Sequence, residues 1–165
     1  MADTARGKVS ITPIVSIAAD SDADAVDAIH HDVKSTLGGV LEYAKVDAND
    51  KWFYTRAKDV TNTSANLISG DFTEGGTVAT ADDIRFVFIK NSGTTDGSTS
   101  TTAKVYINLD GGDASSVSDV IEIGAYEAIN LKFKAANGVD VERLHAATST
   151  GTVRCTILAI IDDGG

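Results

Sequence analysis

Ile84-Arg-Phe-Val-Phe-Ile-Lys90 and Val153-Arg-Cys-Thr-Ile-Leu-Ala-Ile-Ile161 are the two stretches that decide the fold. In the first, Phe86 and Phe88 fall on one face of an extended chain and Val87 and Ile89 on the other. A strand built from it is covered on both sides. The second is long and mostly apolar, the pattern of a strand in the middle of a sheet. Lys104 to Leu109, Val120 to Ala125 and Ala128 to Lys134 are further apolar or alternating runs. Gly, Ser, Thr, Asn and Asp separate all of them, and these are the residues of surface turns, so the second half reads as antiparallel strands.

Toward the N-terminus, Val9, Ile11, Val15 and Ile17 fall at odd positions, which predicts a half-buried strand that Pro13 consigns to an edge. The polar stretch 1–8 before it reads as a flexible arm. Asp20 to Lys34 carries the one helical pattern: Val26, Ile29 and Val33 are spaced by three and four. Aspartates occupy the first turns, where the macrodipole favours them, and Gly38-Gly39 stops the helix. Val40 to Val46 and Lys51 to Ala57 read as a hairpin turning through Asp47 to Asp50. Trp52, Phe53 and Tyr54 are consecutive and cannot share a face of a strand, so either both faces are covered or one ring points to a partner.

Asp59 to Asp83 predicts long connections around the apolar pair Leu67-Ile68. Asn91 to Thr102 holds no apolar residue and predicts an exposed, mobile loop. Turns at Gly111-Gly112, Asn137-Gly138 and Ser149 to Gly151 complete a meander, with a tight kink at Gly124. About eight or nine strands and one short N-terminal helix result. The expected fold class is mainly β: a two-sheet antiparallel β-sandwich, jelly-roll-like, in one domain over 1–165.

Of the 165 residues, 24 are acidic and 14 basic, a formal charge of −10, which repels phosphate backbones and argues against nucleic-acid binding. The N-terminal residues lack the apolar core of a secretory signal, and no run is long enough to cross a membrane as a helix. Cys155 has no second cysteine to pair with and reads as a small core residue.

Asp20, Asp22, Asp24 and Asp27 resemble the start of a calcium loop, but Ala25 and His31 stand where such a loop needs Gly and Glu, so a capped helix start is the expected reading. His30 and His31 are adjacent and point different ways on a helix, and His145 has no ligand motif around it, so no metal site is predicted. No Gly-x-Ser-x-Gly elbow and no phosphate-binding glycine pattern occurs, and composition neither supports nor excludes a Ser/His/Asp set. Catalytic, cofactor-binding and metal residues are therefore all expected to be none. Trp52, Tyr54, Tyr106 and Tyr126 are the rings that would stack on sugars in a lectin-like module, against a core role for the same rings.

Phe86-Val-Phe-Ile-Lys-Asn-Ser-Gly, Lys104-Val-Tyr-Ile-Asn-Leu-Asp-Gly-Gly, Asp119 to Phe133 and the closing Val153 to Asp162 together resemble the layout of small β-sandwich virion proteins of tailed bacteriophages. The resemblance spans residues 84 to 163 and is one of pattern. It implies a non-enzymatic structural protein that decorates or cements a capsid, assembled in a bacterial host cytoplasm and kept in the virion. The implied partners are further copies of itself, with a trimer favoured, and the major capsid protein or other virion proteins, without nucleic acid or membrane. A tail, collar or fibre-base protein and a carbohydrate-binding adhesin module remain the alternatives. A small enzyme of cupin or hydrolase type would need ligands or a triad that three histidines do not assemble.

Overall fold

The computed structural model describes residues 6–11, 39–44, 49–116, 118–134 and 138–164, with side chains described from residue 49 onward. Contacts divide the chain into two compact units, Met1–Ala44 and Lys45–Gly165. In the first, β1 (Arg6–Ile11) and β2 (Gly39–Ala44) pair antiparallel, Arg6 opposite Ala44 and Ile11 opposite Gly39. The strand expected from Val9 thus starts at Arg6, inside the stretch read as an arm. Polarity does not exclude a residue from a ladder whose bonds are made by the backbone. The helix expected over Asp20 to Lys34, with its aspartates, His30 and His31, lies outside the described residues.

The second unit contains β3 (Asp50–Val60), β4 (Ala65–Asn66), β5 (Asp83–Asn91), β6 (Val105–Asn108), β7 (Ile121–Ile123), β8 (Ala128–Lys132), β9 (Val139–Asp140), β10 (His145–Thr148) and β11 (Val153–Asp162). A single 3-10 turn at Val141–Arg143 is the helical content among the described residues. One sheet has the order β4-β10-β6-β7 and the other β3-β11-β5-β8, with β9 beside β5, and every pairing is antiparallel. The fold is mainly β, sandwich-like, with two sheets that share one core.

Two expectations about connectivity are corrected. Val40 to Val46 and Lys51 to Ala57 do not form a hairpin: β2 pairs with β1, and β3 pairs with β11. The 11-residue β3 finds in the 10-residue β11 a ladder running from Asp50 opposite Asp162 to Val60 opposite Val153. Asp50, read as a turn residue, is a strand residue only 1% exposed. Nor is the second half a meander within one sheet, because the chain crosses to the other sheet after β5, β7, β9 and β10. The kink at Gly124 is the corner where the chain leaves β7 in one sheet for β8 in the other. The Gly124 N–H donates to Glu127 Oε2 at 2.7 Å and the Glu127 N–H to the Gly124 carbonyl at 3.1 Å, closing the corner.

β11 does lie mid-sheet, between β3 and β5, as its apolar length predicts. Its alternate residues Val153, Cys155, Ile157, Ala159 and Ile161 face the shared core. Val87 and Ile89 from β5, Phe53 from β3, Val105 and Ile107 from β6, Ile123 from β7 and Ala146 from β10 meet them there. Each large side chain fully buried in this way contributes about 1.5–3 kcal/mol. The connection between β3 and β5 folds inward as well, with Leu67, Ile68, Phe72 and Val78 in the same core.

The expected mobile loop from Asn91 to Thr102 is instead a folded excursion. Thr94 and Ser100 form a bridge, and the Thr101 N–H donates to the Gly93 carbonyl at 2.8 Å. The Asp96 carboxylate accepts from the N–H groups of Ser98 and Thr99 at 2.8 and 2.7 Å and from both their hydroxyls. Arg154 on β11 donates to the Asp96 carbonyl and, bidentate, to Asp59. Side chains of Ser, Thr and Asp supply here the bonds that apolar residues do not.

Candidate functional site

Registers across the five-stranded sheet set its outer face, the one turned away from the shared core, into rows. Asp162 stands opposite Asp50 on one side and Asp83 on the other, and Asp83 opposite Asp140. The next row is Trp52, Ile160, Phe86 and Lys132, and the one after it Tyr54, Leu158, Phe88 and Asn130. In the fourth row Thr156 stands opposite Lys90, which stands opposite Ala128. On the β3 side of Thr156 the register shifts, so that Arg56 and Ala57 fit between Thr55 and Lys58 as a bulge. One face therefore runs from an acidic row, through two aromatic and aliphatic rows, to a cationic row.

Burial grades along this face. Trp52, Phe86 and Ile160 are 9%, 1% and 1% exposed, although they stand outside the core cluster between the sheets. Phe88 and Leu158 are half-buried, and Tyr54 is 46% exposed. Arg56 and Lys90 are exposed and have no ion-pair partner among the described residues, whereas Arg85, Arg143, Arg154, Lys51 and Lys104 each hold a carboxylate. The alternative drawn from three consecutive aromatics is thereby resolved residue by residue. Phe53 enters the shared core, Trp52 is buried on the opposite face, and Tyr54 projects outward.

The acidic row is possible because cations sit within it: Arg85 bridges Asp162 and Asp83, Arg143 holds Asp140 at 3.2 Å, and Lys51 holds the neighbouring Asp163. Carboxylates directly opposite one another would otherwise repel. Asp82 is 2% exposed, and burial, with Asp163 and Asp162 nearby, pushes its carboxyl above the ordinary value of 3.8. Its Oδ2 accepts from the Ala79 N–H at 2.8 Å.

A second, polar cleft is lined by Asn62, Thr63, Ser64, Gly111, Asp113, Ser115 and His145 and encloses about 440 Å³. It brings together the residue types of a nucleophilic triad, but the hydrogen bonds run otherwise. Ser115 Oγ donates to Asp113 Oδ1 at 2.7 Å, Ser64 Oγ accepts from the Ala114 N–H, and His145 Nδ1 lies 3.1 Å from the Gly112 carbonyl. A relay needs serine on histidine and histidine on the carboxylate, and neither contact is made. The hydroxyl, with the N–H of the same Ser115, holds the Asp113 carboxyl below its ordinary value.

Cys155 is buried in the shared core, as expected, and burial pushes its thiol up to about 12, far from a reactive thiolate. Among the sugar-stacking candidates, Trp52 is buried and Tyr106 half-buried, while Tyr126 is 62% exposed. Tyr126 occupies the corner after Gly124 with φ 69°, and its ring lies so close over Gly93 that a Cβ there would meet it at 2.5 Å. Among the described residues no group of three or more His, Cys, Asp or Glu side chains is arranged to hold a metal ion.

No protein-family model, no curated protein and no solved structure matches the chain. No helix among the described residues is long and apolar enough to cross a membrane.

The aromatic rows were half legible in sequence: the alternation of Phe86 and Phe88 was visible, but their alignment with Trp52, Tyr54, Leu158 and Ile160 depends on registers that no local pattern encodes. The acidic row was missed for the same reason, since its four aspartates come from four separate strands.

Proposed function

We propose that the chain is a non-enzymatic structural protein of a tailed-phage virion, a jelly-roll-like β-sandwich that decorates or cements the capsid as a symmetric homo-oligomer, most simply a trimer. The observation that carries the proposal is the outer face of the five-stranded sheet. It presents Tyr54, Phe88 and Leu158 beside two exposed cations, a composition suited to contact with protein. The hydroxyl-rich excursion at 91–102, held by its own side chains, suits a surface exposed outside a cell. The pattern resemblance over residues 84 to 163 points the same way.

Deleting the gene from the phage and analysing the particles tests this. Particles assembled without the chain should lose a set of copies matching the capsid symmetry and become less resistant to heat. Particles unchanged in composition and stability would contradict it.

A carbohydrate-binding reading is favoured by one observation, the 62% exposure of Tyr126. It moves the critical ring from Trp52, which is buried, to Tyr126. Glycan binding that disappears in Tyr126→Ala would replace the capsid reading with this one.

A further inference from the structure

We propose that copies of this chain associate head to tail, the Tyr54 patch of one entering an acid-flanked cleft beside β6 and β7 of the next. The inference rests on the oligomeric reading above and specifies its contact surface. On one side stands Tyr54, 46% exposed, in a row with half-buried Leu158 and Phe88 and bordered by the exposed cations Arg56 and Lys90. On the other is a cleft of about 180 Å³ lined by Ile107, Asn108, Leu109 and Ile121, with Asp110 and Asp119 exposed at its rim. Leu109 and Ile121 are half-buried apolar side chains packed against the core, so the cleft offers an apolar floor that water now touches.

The two patches are complementary in kind. A ring that buries poorly on its own copy meets an apolar recess, and two cations without ion-pair partners among the described residues meet two rim carboxylates. Among the described residues only Oδ1 of Asp110 accepts a hydrogen bond, from the Gly112 N–H at 2.7 Å, and Oδ2 takes none. On a chain of net charge −10, an exposed cationic patch is also the place where another copy is repelled least. The patches belong to different sheets, Tyr54 to the five-stranded and the cleft to the four-stranded. Their contact is therefore heterologous and builds a closed ring when its rotation closes.

Sedimentation velocity on the full chain tests the contact with three variants at exposed positions, Tyr54→Ala, Arg56→Glu and Asp119→Lys, each first shown to melt like the parent. The parent should associate at low salt and dissociate as salt rises, and each variant should weaken association by about 100-fold or more. Mixing Tyr54→Ala with Asp119→Lys is the decisive arm. Asp119→Lys keeps an intact Tyr54 patch and Tyr54→Ala an intact cleft, while the other pairing lacks the ring and sets Arg56 and Lys90 against a lysine, so the mixture should form a one-to-one dimer and nothing larger. A parent that associates regardless of all three changes overturns this contact and leaves the oligomeric reading standing. Monomeric variants whose mixture stays monomeric overturn the head-to-tail geometry. A parent that stays monomeric overturns both the contact and the oligomer, while the gene-deletion test of the capsid role remains separate.

Discussion

The two faces of the five-stranded sheet are built from the same four main strands and differ in what they leave unfinished. On the inner face Phe53, Val87, Ile157 and Ala159 lie in one closed cluster with the other sheet. On the outer face the aromatic rows pass from burial at Trp52 and Phe86 to half-exposure at Phe88 and Leu158 and open exposure at Tyr54. A sheet that needed only a solvated outer face would carry polar residues there. Strand alternation in this chain thus serves two apolar faces, and the second has an open end.

Adjacent residues of β3 separate the two faces with the largest expected effect. Phe53→Ala should cost about 3–5 kcal/mol in denaturant unfolding, because it empties a closed core. Tyr54→Ala, one position on, should stay within about 0.5 kcal/mol for the dissociated chain. Equal losses would mean that the outer face is as closed as the inner one. Phe88→Ala refines the gradient. Its half-buried ring should cost about 1–2 kcal/mol, between its two neighbours in kind.

The faintest expected effect is the dependence of stability on pH. Asp82 has a raised folded pKa, so its contribution is fully present below 3.8 and is lost as pH rises through the folded value. Asp59, held low first by its hydrogen bond to Arg154, and Asp113, held low by Ser115, contribute above 3.8 and lose that contribution as pH falls through their folded values. Asp96, held low by the Thr99 and Ser98 N–H groups, acts in the same direction. Melting temperature should therefore climb as pH falls through the folded value of Asp82 toward 3.8, and drop as it falls further. Asp82→Asn should flatten the climb and leave the drop, and a melting profile identical to the parent's would contradict this assignment.

What the sequence made legible was whatever depends on neighbours along the chain. The period-two pattern located β5, β6, β7, β8 and β11 to within a few residues, and the apolar length of β11 placed it mid-sheet. Partner choice was not legible. Lys51 to Ala57 looked like the return of a hairpin because Asp47 to Asp50 has turn composition, yet β3 is matched in length by β11, about a hundred residues away in sequence. Asn91 to Thr102 looked mobile because polarity was counted, while the bonds of Asp96 to Ser98 and Thr99 are a property of geometry. The candidate face was the least legible part, because it exists only once four registers are fixed.

Light scattering of the purified chain over a range of concentration and salt tests most directly whether the open end of the outer face is a surface for further copies. The mass should be about three times the 17.1 kDa of the single chain at low salt, falling toward one chain in high salt and in Tyr54→Ala. A mass of one chain at every concentration and salt would contradict it.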